Sequence, residues 1–170
     1  MDIDKKAVSV KIPELLHISE KQLSTWLKKN LSSLDEGWWK SLVLPTLSYQ
    51  QKQKVDRKNI SDLDGLDLAA LLRVFDQNWY QFTRILNFPT QDRHYVKEMQ
   101  TIRNRWAHID TQDFNSEDVY RDIDTLQRFL QILTADDQIL SEIKQFKNSV
   151  LLISLQNITL SGESEEIKPK

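Results

Sequence analysis

The sequence contains little glycine and proline: 3 Gly and 4 Pro in 170 residues. Proteins rich in hairpins or phosphate-binding loops need glycine at positive φ and proline in their turns. The shortage therefore argues against a β-sandwich, a Rossmann half or a P-loop domain. It favours an all-α fold in which long helices are joined by few, short loops, and the chain length suits a single domain with its own core.

Cysteine is absent, which excludes disulfides, zinc–thiolate sites and a cysteine nucleophile. No apolar run approaches the roughly 18 residues that a membrane span needs. The N-terminus lacks the apolar centre of a signal peptide, so we expect a cytoplasmic protein that does not contact a membrane. There are only three histidines, and the acids of residues 110–124 fit helix caps better than a metal cluster. We therefore expect no metal and no cofactor.

The net charge is −2, so the overall field recruits neither nucleic acid nor a membrane surface. The distribution is uneven, because residues 1–60 carry a net +4 and residues 61–170 a net −6. Within the acidic part, residues 93–108 hold four basic residues and one acidic residue. Such a local basic segment suits an anionic ligand, whereas the alternative is an ordinary solvated helix face. The candidates for RNA contact in it are Arg93, Lys97 and Arg105.

Apolar residues recur at helical spacing along most of the chain. The strongest pattern is Leu68, Leu72, Phe75, Trp79, Phe82 and Leu86, which predicts one long helix ended by Pro89. Pro45 is expected to kink or restart the helix that Trp38 begins. The predicted helices span about residues 13–34, 38–58, 68–86, 92–108, 116–133 and 139–150, with Ser116 a possible cap. The expected architecture is a bundle of five or six helices.

The ends of the chain are less regular. Residues 1–12 show no periodicity and are expected to form a flexible arm, after which Pro13 suits a first helical turn. The helix could instead begin at Ser19, where Ser-Glu-Lys-Gln has the form of a capping box. Residues 13–150 form the predicted domain. In the C-terminal extension, 151–170, the first eleven residues either prolong the last helix or form a strand or tail, and the end is expected to be disordered.

One segment of the fourth helix combines residue types that can cleave RNA without a metal. His108 can act as general acid or base for attack by the 2′-hydroxyl on the adjacent phosphate. Arg103 can stabilise the charged transition state, and Asn104 can position either residue. The alternative from the residues alone is an arginine and a histidine that cap carbonyls at a helix end.

The spacing of these residues sets a geometric condition. Side chains five residues apart on a regular helix differ in direction by about 140°, so Arg103 and His108 diverge, whereas Asn104 and His108 share a face. Convergence of the arginine and histidine requires that the helix distorts or ends near Trp106, or that two copies pair across a symmetric groove.

The sequence Arg-Asn-Arg-Trp-Ala-His at 103–108, late in a helix of an all-α bundle, resembles the Arg-x-x-x-x-His motif of the HEPN superfamily. A polar residue directly after the arginine, here Asn104, is typical of its catalytic members. The similarity extends over about residues 35–135, and this stretch looks like one prokaryotic branch of the superfamily that is often attached to helicases and phage-defence proteins.

The resemblance implies a helical bundle that dimerises and brings two motifs into one cleft, with an interface on the exposed side of the Trp79 helix and the motif helix. It implies a metal-independent endoribonuclease of a toxin, defence or RNA-processing system, in which Arg103 and His108 are catalytic and Asn104 assists. The alternative is an inactive HEPN module that binds RNA, dimerises or docks on a larger helicase or defence protein. Toxins silenced by a nucleotidyltransferase antitoxin carry a tyrosine where this chain has Asp110, which argues against that mode of control.

Overall fold

The structure is a computed structural model that describes residues 5–108 and 114–163. The predicted all-α fold is confirmed, and no strand occurs within these two ranges. The number of α-helices there is seven, more than expected, because predicted helices are broken at some joints. They are α1 (Lys5–Leu34), α2 (Tyr49–Lys58), α3 (Leu68–Gln77), α4 (Trp79–Leu86), α5 (Arg93–His108), α6 (Ser116–Ile132) and α7 (Asp137–Glu163).

The first helix begins earlier than predicted. It starts at Lys5, so residues 5–12, expected to belong to a flexible arm of residues 1–12, are helical. Val8 and Ile12 are buried and extend the apolar stripe of α1 towards its N-terminus. These two side chains, four residues apart, are enough to dock this stretch on the core. Two residues are too few to show a helical period in the sequence. Pro13 consequently lies inside the helix and not in its first turn.

Two serines predicted as possible helix caps do not cap a helix. Ser19 is buried inside α1, where its hydroxyl donates to the carbonyl of Leu15 at 2.8 Å. Asn115, rather than Ser116, caps α6, because its side-chain oxygen accepts from the backbone N–H of Asp118 at 2.9 Å. Asparagine and serine are comparably good caps, so the sequence could not distinguish these neighbours.

The long helix predicted for residues 68–86 is interrupted at Asn78. This residue leaves the helical region of φ/ψ space (φ −98°, ψ 9°) and separates α3 from α4. Its buried side-chain amide donates to the carbonyls of Val74 at 2.8 Å and Leu42 at 2.9 Å. The second bond attaches the break to the segment before α2. Because apolar residues continue at helical spacing across the break, periodicity could not show it.

The predicted restart at Pro45 is confirmed. A five-residue π-helix at Trp39–Val43 is followed by a 3-10 turn at Leu44–Thr46, which contains the proline. Ser48 then starts α2 with a capping box, since its hydroxyl accepts from the N–H of Gln51 and the Gln51 side chain accepts from the N–H of Ser48. Two such reciprocal bonds satisfy donors that a helix N-terminus otherwise leaves free.

Helix ends in this glycine-poor chain use other residues where the backbone turns left-handed. Asn59 follows α2 at φ 50°, Asn87 follows α4 at φ 53°, and Thr134 follows α6 at φ 52°. Asparagine adopts this conformation more readily than most residues, which suits the first two positions. Gly65 is required for space instead, because a Cβ there would lie 2.6 Å from the side chain of Ile60.

The centre of the bundle is α3, which packs against α1 and α5, while α6 packs against α1, α5 and α7. Aromatic rings fill the middle of the core: Phe75 contacts Trp79, Phe82 and Phe129, at centroid distances from 5.5 to 6.2 Å. Trp26 of α1 joins this cluster through Phe75. The motif helix α5 is therefore held between the central helix and α6.

The last helix continues to Glu163, so residues 151–161 prolong it, which was one of the predicted alternatives. Beyond Val150, which is buried, α7 carries exposed leucines at 152 and 155. The disorder predicted for the C-terminal end concerns residues 162–170, of which 164–170 lie outside the described residues and 162–163 are helical. None of the described helices is long and apolar enough to cross a membrane.

Candidate functional site

The motif helix α5 is regular through the motif itself. It is α-helical from Arg93 to His108, with Val96, Met99, Ile102 and Trp106 on its buried face. Arg103 is half-buried beside this face, while Asn104 and His108 are exposed. The helix is unbroken at Trp106 and continues two residues further, to His108. Arg103 and His108 therefore leave the helix in directions about 140° apart within one chain.

Arg103 projects into a groove bounded by α1, the first turn of α3 and the end of α5. The groove has a volume of about 280 Å³. Its lining combines apolar side chains with three other ionisable groups, all from outside the motif. The residues that line it are Pro13, Leu16, His17, Glu20, Asp67, Leu68, Arg103, Trp106 and Ala107.

Arg103 differs from the other basic residues of α5 in its partners. Arg93 and Lys97 both form ion pairs with Asp76, and Arg105 forms one with Asp122. The guanidinium of Arg103 donates instead to the neutral side-chain oxygen of its neighbour Asn104, at 3.2 Å. Within residues 5–108 and 114–163 it has no carboxylate partner. Arg103 is thus the cation of α5 whose charge is available for an anionic ligand.

His108 is the last residue of α5. Its exposed imidazole makes no hydrogen bond or ion pair with the described part of the chain. Asn104 lies one turn earlier on the same face. Asp110, the departure from the antitoxin-controlled pattern, lies outside the described residues. The exposed face that ends in His108 is consequently open to a partner or a substrate.

The sequence profile of the Swt1-like HEPN family matches residues 14–134, well over half of the chain. The chain belongs to this family. The match begins directly after Pro13 and includes the motif helix, whereas α7 lies outside it. The predicted HEPN membership is therefore confirmed, over a longer stretch than the motif and its neighbouring helices suggested. Comparisons with curated proteins and with solved structures gave no match.

Two of the predicted RNA contacts in this HEPN domain are tied to a buried carboxylate. Asp76 of α3 is 2% exposed and accepts from Nε of Arg93 at 2.9 Å and from Nζ of Lys97 at 2.6 Å. Burial by itself would raise the pKa of Asp76, but the two cations outweigh it and hold the pKa below its ordinary value. Arg93 also lies over the ring of Tyr80, 5.3 Å from the centroid. Their binding of RNA stays a prediction.

Arg105, the third predicted RNA contact, likewise attaches α5 to a buried carboxylate, here on α6. Asp122 is buried and accepts hydrogen bonds from the guanidinium of Arg105 and, at 2.8 Å, from the indole N–H of Trp106. Burial raises the pKa of Asp122, which the bonds from Trp106 and Arg105 offset only in part. The HEPN motif helix is thereby fixed near both of its ends: Asp76 holds it near the start, and Asp122 holds it near the end.

Sequence reasoning missed that His17, Glu20 and Asp67 share the groove with Arg103. His17 lies exposed on α1. The available clue was the spacing. His17 lies four residues after Pro13 and Glu20 lies three residues after His17, which places all three on one helix face. Which helix that face meets could not be read from the spacing. No cluster of residues suited to a metal ion occurs among the described residues of the HEPN domain.

Proposed function

We propose that this HEPN domain is a metal-independent endoribonuclease whose cleft is completed by a second copy of the chain. The observation that carries the proposal is the state of Arg103. It is half-buried in a groove and has no carboxylate partner among the described residues, whereas the other three basic residues of its helix each have one. A guanidinium without an ion pair suits a phosphate, which it can contact through two donors at once.

Catalysis in this proposal follows from the two ends of the motif. The imidazole of His108 removes the proton from an RNA 2′-hydroxyl, whose oxygen attacks the adjacent phosphorus. The bond to the 5′-oxygen breaks, and that oxygen takes a proton from water while His108 returns its proton to solvent, so a 2′,3′-cyclic phosphate and a 5′-hydroxyl result. Arg103 stabilises the extra negative charge of the transition state. Asn104, hydrogen-bonded to Arg103 and one turn before His108, positions the arginine.

A composite cleft accounts for the divergence of Arg103 and His108 along α5. If two α5 helices pair about a two-fold axis, Arg103 of one protomer faces His108 of its partner, and each cleft has both groups. Exposed residues on the neighbouring helix, such as Tyr80 at 64% and Ile85 at 54%, offer apolar area for this interface. A defence or toxin-like role in the cytoplasm is part of the same proposal.

The second candidate is a HEPN module that binds RNA or docks on a larger helicase or defence protein without catalysis. The ion pairs that tie Arg93, Lys97 and Arg105 to buried carboxylates leave α5 little free positive charge, which favours the docking form of this candidate. The other form, an RNA-binding module, is distinguished by a gel assay. Such a module would retard labelled RNA in a native gel and release no product. Cleavage of any RNA in the same samples would exclude it.

The proposal predicts that the purified chain cleaves RNA in the presence of EDTA. A panel of single-stranded, hairpin and transfer RNAs is incubated with the protein, and the products are tested for cyclic phosphate ends. These ends follow from attack by the 2′-hydroxyl, so replacing the ribose at the cut site by 2′-deoxyribose is expected to block cleavage there. Intact RNA across the panel, with a folded dimer, would contradict the proposal.

Neutralising Arg103 in place is expected to slow cleavage without loss of the fold. Ala107 is exposed, lines the groove and lies one turn after Arg103, so Ala107→Glu puts a carboxylate within reach of the guanidinium. We expect cleavage to fall about tenfold, the effect of withdrawing one charged hydrogen bond from the phosphate. Ala107→Gln has nearly the same shape without the charge and serves as the control. Equal rates for the two variants would contradict a free Arg103, and the melting temperature checks that both fold.

A further inference from the structure

We propose that the groove between α1 and α5 carries the RNA strand next to the scissile phosphate, and that His17 contacts a phosphate of that strand beside Arg103. This inference rests on the proposed nuclease function and adds a substrate-binding residue from outside the motif. His17 and Arg103 come from helices far apart in sequence, and both line one groove. Imidazole and guanidinium N–H groups are both donors to phosphate oxygens.

The acidic side chains of the groove have structural partners. Its two carboxylates are already engaged: Glu20 accepts from the backbone N–H of Leu68 at 3.0 Å, and Asp67 accepts from Ala70 N–H at 3.0 Å and from Lys54 Nζ at 2.8 Å. Burial alone would raise the pKa of Asp67, but these donors, aided by the charge of Arg103, hold it below its ordinary value. The acids therefore cap and anchor α3.

The two remaining polar side chains of the groove do not hold the fold together in this way. His17 is exposed and makes no hydrogen bond or ion pair with the described residues, and Arg103 donates only to Asn104. The volume of about 280 Å³ lies just below the roughly 300–1,000 Å³ of drug-sized ligand sites, which suits one backbone unit of a passing strand. Pro13, Leu16 and Ala107 supply an apolar wall for the adjoining ribose.

The histidines of the chain provide a direct test by nuclear magnetic resonance. The wild-type protein, labelled at its histidine rings, is titrated with an oligonucleotide whose riboses are replaced by 2′-deoxyribose, so that no cleavage occurs. We expect the resonances of His17 and His108 to move. Those of His94, which lies at the start of α5 with its ring against Tyr95, should remain in place. A His17 resonance that does not move when this oligonucleotide saturates the protein overturns the proposal.

Affinity provides the second measurement. His17→Ala is expected to weaken binding of the same oligonucleotide about tenfold, as the loss of one hydrogen bond to a charged group does, and His17→Arg is expected to restore it. His94→Ala is the matched control and should bind as the wild type does. Unchanged melting temperatures would show that the exposed substitutions leave the fold intact. Unchanged affinity in His17→Ala overturns the proposal.

The outcomes separate this inference from the proposed function. If the wild-type chain cleaves RNA and His17→Ala cleaves and binds equally well, the nuclease stands and the groove assignment fails. If no RNA is cleaved but the oligonucleotide still moves His17 and is weakened by His17→Ala, the groove stands as an RNA site and catalysis fails. In the active enzyme, the loss in His17→Ala should appear mainly in KM, because His17 binds a phosphate that does not react.

Discussion

An equal mixture of Arg103→Ala and His108→Ala chains is expected to regain about a quarter of the wild-type rate of RNA cleavage, as follows from a two-fold symmetric site. Each variant alone is expected to lose at least about a hundredfold, the usual contribution of a general base or of a charge-stabilising donor. In a mixed dimer, one cleft combines Arg103 of one protomer with His108 of its partner and is complete. The other cleft lacks both groups.

The factor of a quarter is specific to a shared site. Half of the dimers in a random mixture are mixed, and each has one working cleft out of two. The chains must exchange, so they are mixed under mild denaturation and returned to native buffer, or produced together with different tags. A chain with both substitutions, mixed with either single variant, is the control and should remain inactive.

Two results would contradict the composite cleft. If the mixture stays as inactive as its components while light scattering shows mixed dimers, Arg103 and His108 act within one chain or not at all. If the wild-type chain is a monomer at concentrations at which it cleaves RNA, no partner completes the site. The structure favours the shared cleft because α5 remains regular to His108, which leaves the two side chains about 140° apart on one helix.

Periodicity predicted the helices of the core well, because buried residues recur at 3.6-residue spacing wherever a helix lies against its neighbours. The predicted motif helix, from about residue 92 to 108, agrees with α5 to within a residue. The break at Asn78 escaped the same reasoning, since Phe75, Trp79 and Phe82 keep helical spacing across it. The break depends on a hydrogen bond to Leu42, which belongs to a distant segment.

The candidate site was predicted less completely than the fold. Residue types make Arg103 and His108 candidates for RNA cleavage, with capping of a helix end as the alternative, and they do not show which basic residues of α5 are free. That distinction depends on carboxylates far away in sequence: Asp122 lies 17 residues after Arg105, and Asp76 lies 21 residues before Lys97. Only packing of α5 against α3 and α6 brings these acids to it, so the division into structural and available cations needs the tertiary structure.

Asp76→Asn is expected to lower the free energy of unfolding by about 2–3 kcal/mol at pH 7, within the range for breaking a buried ionic group. The carboxyl of Asp76 is 2% exposed and accepts two hydrogen bonds from cations of α5. Asparagine keeps the size of the side chain but removes its charge, so Arg93 and Lys97 lose their counter-ion. Urea unfolding of both proteins measures the difference.

The direction of the Asp76 pKa shift predicts how this stability difference depends on pH. Arg93 and Lys97 hold the pKa of Asp76 below its ordinary value despite burial, so the folded state binds this proton less readily than the unfolded chain. The stabilisation is present at neutral pH and declines once the pH falls below about 4, the ordinary range of an aspartate. The difference in free energy of unfolding between wild type and Asp76→Asn should therefore become smaller in acid, because the asparagine resembles the protonated carboxyl.

Asp124→Asn on α6 is the matched control. Asp124 also accepts from two cations, Arg128 at 2.8 Å and Lys147 at 3.1 Å, but its side chain is 30% exposed. Water solvates and screens the charge of such a carboxylate, so the substitution should reduce the free energy of unfolding by less than about 1 kcal/mol. Equal losses for the two variants, or a gap at Asp76 that persists undiminished in acid, would contradict the proposed anchoring. A larger loss at Asp76 would show that its ion pairs with Arg93 and Lys97 hold α5 on α3.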